Sequence, residues 1–289
     1  MPELPEVETV ARLVRPHLVG RTVTGTRVGW LRTLGGLSRP AFARRVVGAE
    51  VARVGRRAKY IVVDLARDGA GAGALLVHLR MTGRLHVEDP DEPPGDYVRV
   101  ALDLDDGRQL RFVDVRKFGR FTYSADPADD LDHLGPEPLG EEFTVDWLKR
   151  ELRARRRMLK PLLLDQTFVA GLGNIYVDEA LHRARLHPLQ RADEVGPRKA
   201  RALHEAIRET LARAIELEGS SFDTFYRTPE GQPGSYQHQF QVYARDGQPC
   251  RRCSRRIVKT VVGQRGTHLC PRCQPRPPSA PRSARSASG

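Results

Sequence analysis

Apolar residues recur with helical spacing at the start of the chain. The positions i, i+3, i+4 and i+7 are occupied by Val7, Val10, Ala11 and Val14. Residues with this spacing lie on one face of a helix, so the pattern predicts an amphipathic helix over residues 5–15. We expect Pro16 to end it, because proline has no N–H for the next backbone hydrogen bond.

Between residues 23 and 123 the pattern changes to short runs rich in β-branched residues, separated by Gly, Asp and Pro. Three of these runs are Tyr60-Ile61-Val62-Val63, Leu75-Leu76-Val77 and Val98-Arg99-Val100-Ala101-Leu102. Such runs are typical of strands, and their number predicts a β-sandwich or barrel after the first helix.

Helical periodicity returns after the Gly- and Pro-rich segment 135–140. We predict helices over residues 145–159, 160–165, 175–183 and 197–217. The fold class is therefore α+β. We expect four segments: an N-terminal helix with a β-sandwich (1–134), a helical domain (135–230), a cysteine-containing hairpin module (231–274) and a disordered basic tail (275–289).

The loop over residues 166–174 connects two of these helices and contains Gly171, Gly173 and Asn174. Its glycines permit positive φ, and Asn174 is a favourable N-cap for the next helix. A tight turn with free amides at a helix N-terminus can bind phosphate. The commoner use of Gly and Asn, a plain connection between helices, stays open at this point.

The chain of 289 residues carries 48 Lys and Arg against 36 Asp and Glu, a formal charge of +12. One basic cluster contains Lys149, Arg150, Arg153, Arg155, Arg156, Arg157 and Lys160. This balance predicts a polyanionic partner. No apolar run reaches the roughly 18 residues of a membrane span, and the N-terminus lacks the order of a signal peptide, so we expect a cytoplasmic protein without a membrane partner.

All four cysteines lie near the C-terminus, in two Cys-x2-Cys pairs separated by sixteen residues. They are Cys250, Cys253, Cys270 and Cys273. The spacing predicts one tetrahedral Zn²⁺ held by a β-hairpin, and four sulfur ligands leave no open position for catalysis. We therefore predict a structural zinc. A zinc ribbon with an unrelated role is the alternative.

The first residues are Met1-Pro2-Glu3. If Met1 is removed, Pro2 bears a secondary amine beside a carboxylic acid. The reference pKa of an α-amino group is about 7.7–8.0, so a useful fraction is neutral and nucleophilic near pH 7. The alternative is that Pro2 and Glu3 merely precede a helix whose first turn favours Pro5 and acidic residues.

Three separated segments and the cysteines together resemble the formamidopyrimidine-DNA glycosylase family, and the resemblance extends from Pro2 to Gln274. The segments are Pro2-Glu3-Leu4-Pro5-Glu6-Val7-Glu8-Thr9, Gly171-Leu172-Gly173-Asn174-Ile175-Tyr176 and Gln264-Arg265-Gly266-Thr267. The second resembles the family's helix-two-turn-helix motif and the third its zinc hairpin. The resemblance implies a monomeric base-excision-repair enzyme that binds damaged double-stranded DNA, removes oxidised purines and cuts the strand by β- and δ-elimination, without a redox cofactor.

The resemblance also implies residue roles. Pro2 attacks C1′ of the damaged nucleoside, and Glu3 transfers protons. Lys59, Asn174 and Arg265 contact DNA phosphates. Lys59 and Arg265 are also predicted to be catalytic residues, together with Pro2 and Glu3. Glu6 matches a carboxylate near the lesion; its alternative role is electrostatic, at the start of the helix. Plain surface positions are the alternatives for Lys59 and Arg265.

Extracting a base leaves a hole in the duplex that inserted side chains can fill. The family residues for this task are matched by Met81, Arg116 and Phe118, and His78 joins them as a DNA contact. Core positions are the alternative for Met81 and Phe118, and pairing with Asp114 the alternative for Arg116. The three matched residues favour an oxidised-purine enzyme over the related endonuclease VIII branch.

Three residues depart from the family pattern. Arg80 stands where glycine is common, Val115 where proline is common, and Asp223 where several relatives have a basic residue. The loop over 219–236 is consequently the weakest match. Two functional alternatives remain: an endonuclease VIII-like enzyme for oxidised pyrimidines, and a non-catalytic zinc protein that recognises damaged DNA.

Overall fold

The computed structural model describes residues 1–89, 91–93, 95–221, 228–229 and 231–280. The chain divides into two compact units. The first contains Met1–Leu134 and Arg213–His238, and the second contains Gly135–Ala212 and Gln239–Gly289. Each unit is therefore built from two separate stretches of sequence. The four-part division along the chain stays a prediction.

The first helix, α1, spans Leu4–Leu18 and is longer than its apolar pattern predicts. The expectation that Pro16 ends it is wrong, because Pro16 lies inside the last turn. A proline there removes a single backbone hydrogen bond, and the Val19 N–H still donates to the Arg15 carbonyl at 3.0 Å. Leu18 is fully buried, and this burial favours one further turn.

Eight strands of the first unit form two four-stranded antiparallel sheets. The first has the order β1 (Val23–Val28), β6 (Val98–Leu104), β7 (Gln109–Asp114) and β5 (Gly83–Glu88), and the second has the order β2 (Glu50–Arg57), β3 (Tyr60–Arg67), β4 (Ala70–His78) and β8 (Arg120–Ser124). One continuous core contains apolar side chains from both sheets and from α1. The predicted β-sandwich with an N-terminal helix is thus confirmed.

Short helices complete the first unit. They are a 3-10 turn at Leu31–Leu34, α2 (Arg39–Val46), α3 (Pro127–Asp130) and a 3-10 turn at Tyr236–Gln239, whose last residue falls in the second unit.

The second unit is helical, as the periodicity predicts. Its helices are α4 (Val145–Arg153), α5 (Leu159–Leu163), α6 (Asn174–Ala184), a 3-10 turn at Ala192–Glu194 and α7 (Pro197–Glu216), the last turn of which belongs to the first unit. The single helix predicted over 145–159 is wrong. Residues 154–158 are not helical. Met158 forms an isolated antiparallel β-bridge with Arg191, and the Ala192 N–H donates to the Arg157 carbonyl, so this backbone is paired with another segment.

A two-stranded hairpin follows, formed by β9 (Val258–Val262) and β10 (Arg265–Leu269). It lies between the two cysteine pairs, as their spacing predicts. Of the predicted tail, residues 275–280 are described, and the Ser279 hydroxyl donates to Glu194 at 2.5 Å; residues 281–289 lie outside the description. Among the described residues, every helix is too short or too polar to span a bilayer.

Candidate active site and metal centre

Pro2 and Glu3 lie immediately before α1, and both are buried. Glu3 is the N-cap residue, and a capping box links it to Glu6. The Glu3 side chain accepts from the Glu6 N–H, while the Glu3 N–H donates to Glu6 Oε2 at 2.8 Å. Because the peptide bond is planar, the hydrogen bond at the Glu3 nitrogen also fixes the orientation of the Pro2–Glu3 peptide.

The other oxygen of Glu6 contacts a segment more than 200 residues later in the same unit. Glu6 Oε1 accepts from the Ser220 N–H at 2.8 Å and from the Ser220 hydroxyl at 3.2 Å. Gly219 has φ +76°, and a Cβ atom there would stand 2.8 Å from Glu6 Oε1. Glycine is therefore required at this approach. Asp223 lies outside the described residues, as do the rest of 222–227 and residue 230 of the loop over 219–236.

Lys59 lies in the turn between β2 and β3 and directly follows Ala58, whose φ is +52°. Lys59 is only 6% exposed, which contradicts the surface alternative. His78 at the end of β4 packs edge-on against Tyr60, with ring centroids 4.8 Å apart. Burial, with Arg80 and Lys59 nearby, lowers the pKa of His78 to about 3, so its ring is neutral at pH 7.

Met81, Arg116 and Phe118 lie in two neighbouring loops of the first unit. Met81 is 40% exposed and Phe118 is 49% exposed, so neither is a core residue. The Arg116 guanidinium lies 4.8 Å from the centre of the Phe118 ring, within the range of a cation–π contact. Together these side chains form an exposed apolar and cationic surface, which we call the wedge surface.

Buried Asp114 connects the two loops of the wedge surface. It accepts from the Thr82 hydroxyl at 2.5 Å and from the Gly119 N–H at 2.7 Å. Its contact with Arg116 is through the Arg116 backbone N–H, at 3.3 Å. Arg80 has φ +53° in the left-handed region, which explains why glycine suits this position.

In the second unit, Asn174 is the first residue of α6 and Gly173 is its N-cap, so the prediction of Asn174 as N-cap is wrong. The Asn174 amide instead donates to the Gly266 carbonyl of the hairpin at 3.0 Å. Arg265 opens β10 directly after the hairpin turn and is exposed. Asn174 therefore joins the glycine-rich loop to the hairpin tip.

Lys160 and Asp178 form an ion pair that the sequence reading did not identify. Both side chains are 0% exposed, and Lys160 Nζ lies 2.6 Å from Asp178 Oδ1. Lys160 also donates to the Gly266 carbonyl at 3.0 Å, and Asp178 accepts from the His268 N–H at 2.8 Å. The charge pattern places Lys160 in the basic cluster over residues 149–160, which favours a polyanionic partner. Its apolar neighbours, from Leu159 to Leu164, were the signal for burial.

Glu179, the next residue on α6, was also missed. Its carboxylate accepts three backbone N–H groups, from Gln241, Val242 and Tyr243, at 2.8–2.9 Å. Burial raises the pKa of Glu179 even though these hydrogen bonds favour its charged form. Consecutive carboxylates of α6 thus hold the hairpin and the segment that leads into it.

The four cysteine sulfurs lie within 4.8 Å of one another. Sulfurs at tetrahedral corners, each about 2.3 Å from a zinc ion, are about 3.8 Å apart. The distances from Cys250 to Cys273 and from Cys253 to Cys270 are 3.9 and 3.4 Å, far longer than a disulfide bond. Burial and neighbouring thiols raise the pKa of Cys273 to about 12, and a bound cation offsets this cost. The site fits one structural zinc.

Family comparisons cover three parts of the chain. Residues 1–121 match the formamidopyrimidine-DNA glycosylase N-terminal domain, and residues 134–226 match the formamidopyrimidine-DNA glycosylase H2TH domain. Residues 247–276 match a zinc finger found in FPG and IleRS.

Among curated relatives, formamidopyrimidine-DNA glycosylase of Roseiflexus sp. is 47% identical over 95% of this chain and 100% of its own. The protein of that name from Pelotomaculum thermopropionicum is 44% identical over 95% and 99%. Among solved structures, MutM (FPG) of Thermus thermophilus is 41% identical with a TM-score of 0.84, covering 96% of this chain and all of that one. A Lactococcus lactis FPG mutant in complex with Fapy-dG-containing DNA is 35% identical with a TM-score of 0.87, covering 95% and 100%.

Proposed function

The chain belongs to the formamidopyrimidine-DNA glycosylase family, and on that premise we propose that it excises oxidised purines from duplex DNA through the Pro2 amine and then cuts the strand. It acts as a monomer in this proposal. The main observation behind the proposal is the capping box at the start of α1. The Glu6 carboxylate accepts from the Glu3 N–H, and the Glu3 carboxylate accepts from the Glu6 N–H. A nucleophile needs such a fixed support.

The chemistry follows from a secondary amine beside a carboxylic acid. The Pro2 nitrogen forms a bond to C1′ as the N-glycosidic bond breaks, and the base leaves through its nitrogen, which takes up the proton that the amine loses. The Pro2 lone pair then expels O4′ from C1′, Glu3 supplies the proton that neutralises this oxygen, and the opened sugar is held as an iminium, which acidifies C2′–H. Loss of that proton expels the 3′ phosphate, and a second elimination expels the 5′ phosphate. The iminium therefore serves as the electron sink for both cleavages.

Phosphate binding is assigned to Lys59, Asn174 and Arg265, and His78 can donate its Nε2–H to DNA. Support for His78 comes from its Nδ1, which already accepts the Arg80 N–H at 3.0 Å and so leaves the proton on Nε2. Zinc takes no part in the chemistry here. Bound by Cys250, Cys253, Cys270 and Cys273, it stabilises the hairpin that presents Arg265.

Borohydride trapping tests the proposal directly. Incubation with an 8-oxoguanine:cytosine duplex and borohydride should give a covalent adduct that peptide mapping places on Pro2. Thymine glycol in place of 8-oxoguanine tests the endonuclease VIII alternative, and an abasic duplex tests the non-catalytic alternative, which predicts binding without cleavage. An adduct on a lysine, or no adduct from protein whose mass shows loss of Met1, would refute the proposed mechanism.

The wedge surface yields a separate prediction about the base opposite the lesion. We expect Arg116→Ala to lower the preference for cytosine over adenine opposite 8-oxoguanine by about 10- to 100-fold, because a guanidinium that hydrogen-bonds a base contributes about 1–3 kcal/mol of discrimination. The ratio of single-turnover excision rates on the two duplexes measures it.

Lys117→Ala is the matched control for Arg116→Ala. Lys117 is exposed in the same loop, and its ammonium lies 4.3 Å from the Trp30 ring centre. Loss of this cation should weaken binding to both duplexes alike and leave the rate ratio unchanged. If both variants change the ratio equally, Arg116 does not read the opposite base.

A further inference from the structure

A histidine outside the zinc hairpin contacts one of the zinc ligands. His182 lies near the end of α6 and is 1% exposed. Its Nε2 lies 3.6 Å from Cys250 Sγ, a hydrogen-bonding distance for sulfur, although the residues are 68 positions apart. Both belong to the second unit. The mechanism of base excision uses neither.

Backbone donors of the cysteine turns also contact these sulfurs. The Arg252 N–H lies 3.5 Å from Cys250 Sγ, and the Cys273 N–H lies 3.4 Å from Cys270 Sγ. Such backbone donors accompany any Cys-x2-Cys turn. His182 differs because it is a side-chain donor that lies on α6, outside the hairpin and its cysteine turns. A second contact joins the two segments, since the Arg252 guanidinium donates to the His182 carbonyl at 3.3 Å.

The imidazole of His182 is a less stable choice for this buried position than an apolar ring of similar size. Within the described part of the chain, its Nδ1 is buried without a hydrogen-bond partner. A buried polar atom left unpaired destabilises the folded state, whereas a phenylalanine ring would fill a similar volume without that penalty. The imidazole Nε2 can form a hydrogen bond to Cys250, and phenylalanine has no group that could do so.

The chemistry of the zinc centre explains the benefit. Four thiolates and one Zn²⁺ carry a net charge of −2, so each sulfur is a strong acceptor in a partly buried site. A thiolate has no proton to donate, which requires the proton of the imidazole to be on Nε2. An N–H donor withdraws charge from the sulfur and lowers its tendency to be protonated and released from the metal.

We propose that His182 is an outer-sphere residue of the zinc centre, which donates its Nε2–H to the Cys250 thiolate and slows loss of the metal. The residue thereby links zinc retention to helix α6. The proposal is independent of the glycosylase mechanism, because metal retention is measured without DNA.

Two variants and two readouts test the proposal on the full-length zinc protein. His182→Phe keeps a ring but removes the donor, whereas His182→Gln places an N–H donor the same number of bonds from Cβ. We expect His182→Phe to transfer zinc to an excess of chromogenic chelator about 10-fold faster than the unmodified protein, and His182→Gln to stay within about 3-fold of it. In Co²⁺-substituted protein, the sulfur-to-cobalt charge-transfer band should move to lower energy only in His182→Phe.

His204→Phe controls for a general loss of stability in the same unit. His204 Nε2 lies 2.7 Å from the Phe143 carbonyl and its ring stacks on Phe143, so this variant loses a ring nitrogen away from the cysteines. Zinc transfer and the cobalt band should be unchanged in it. Unchanged zinc transfer and an unmoved band in His182→Phe would overturn the proposal, as would equal changes in the Gln variant.

A measurement on the unmodified protein keeps the proposal testable if His182→Phe fails to fold. Nitrogen-15 correlation spectra of the zinc-bound protein distinguish protonated from bare ring nitrogens. We expect the His182 ring to carry its proton on Nε2. A bare Nε2 with the proton on Nδ1 would overturn the proposal, because no hydrogen bond to Cys250 could then exist.

Discussion

Replacing Pro2 by glycine should lower the single-turnover rate of base excision from an 8-oxoguanine:cytosine duplex at least about 10³-fold, because a nucleophile that is no longer held in position loses orders of magnitude in rate. Glycine keeps a primary amine but loses the ring that fixes the nitrogen beside the capped start of α1. Affinity for the duplex should change little, since phosphate contacts dominate it. A quenched-flow cleavage assay with a parallel binding titration measures both quantities.

Pro5→Ala is the matched control for Pro2→Gly. Pro5 is also buried and lies three residues further along, at the second position of α1, where alanine is a good helix former. It should leave the excision rate within about 3-fold of the unmodified rate. A second comparison uses protein that retains Met1, in which the Pro2 nitrogen is an amide; full activity in that form would disprove the role of the amine.

Replacing Lys160 by alanine should lower the free energy of unfolding by about 3–5 kcal/mol, because it leaves Asp178 as an uncompensated buried charge. Urea denaturation measures the loss. Lys160 also contacts the Gly266 carbonyl, so hydrogen exchange at residues 258–269 should accelerate as the hairpin loses this anchor.

Arg157→Ala provides the comparison for Lys160→Ala. Arg157 and Asp165 form an ion pair of 2.7 Å in the same unit, but their side chains are 51% and 26% exposed. Such a pair contributes about 0–1 kcal/mol. Equal losses of stability from the two variants would show that burial of the Lys160–Asp178 pair has no special energetic role.

Local signals predicted those parts of the molecule that depend on neighbours in sequence. The cysteine spacing alone identified the metal centre, because the four ligands and the length of the hairpin between them can be read directly from the sequence. The short β-branched runs separated by Gly, Asp and Pro predicted a β-sandwich or barrel, and the structure has the sandwich of two sheets. The start of α1 was also predicted, because Pro5 and acidic residues favour the first turn of a helix.

Contacts between distant residues were not predictable in the same way. Lys160 resembles its solvated basic neighbours in sequence, and only the fold reveals that Asp178 neutralises it. The position of Asn174 one residue inside α6 depends on the Gly266 carbonyl, which lies 92 residues away. Pro16 was misread because the burial of Leu18 outweighs one missing hydrogen bond.

The contact between Glu6 and the Gly219–Ser220 segment also bears on how the protein is made. The first compact unit includes residues 213–238, so it cannot be completed while the ribosome is still synthesising the helical region. During translation Pro2 emerges early, whereas Gly219 and Ser220 belong to the second stretch of that unit, which follows the helical region. The start of α1 therefore acquires the groups that hold Glu6 only after most of the chain has been synthesised.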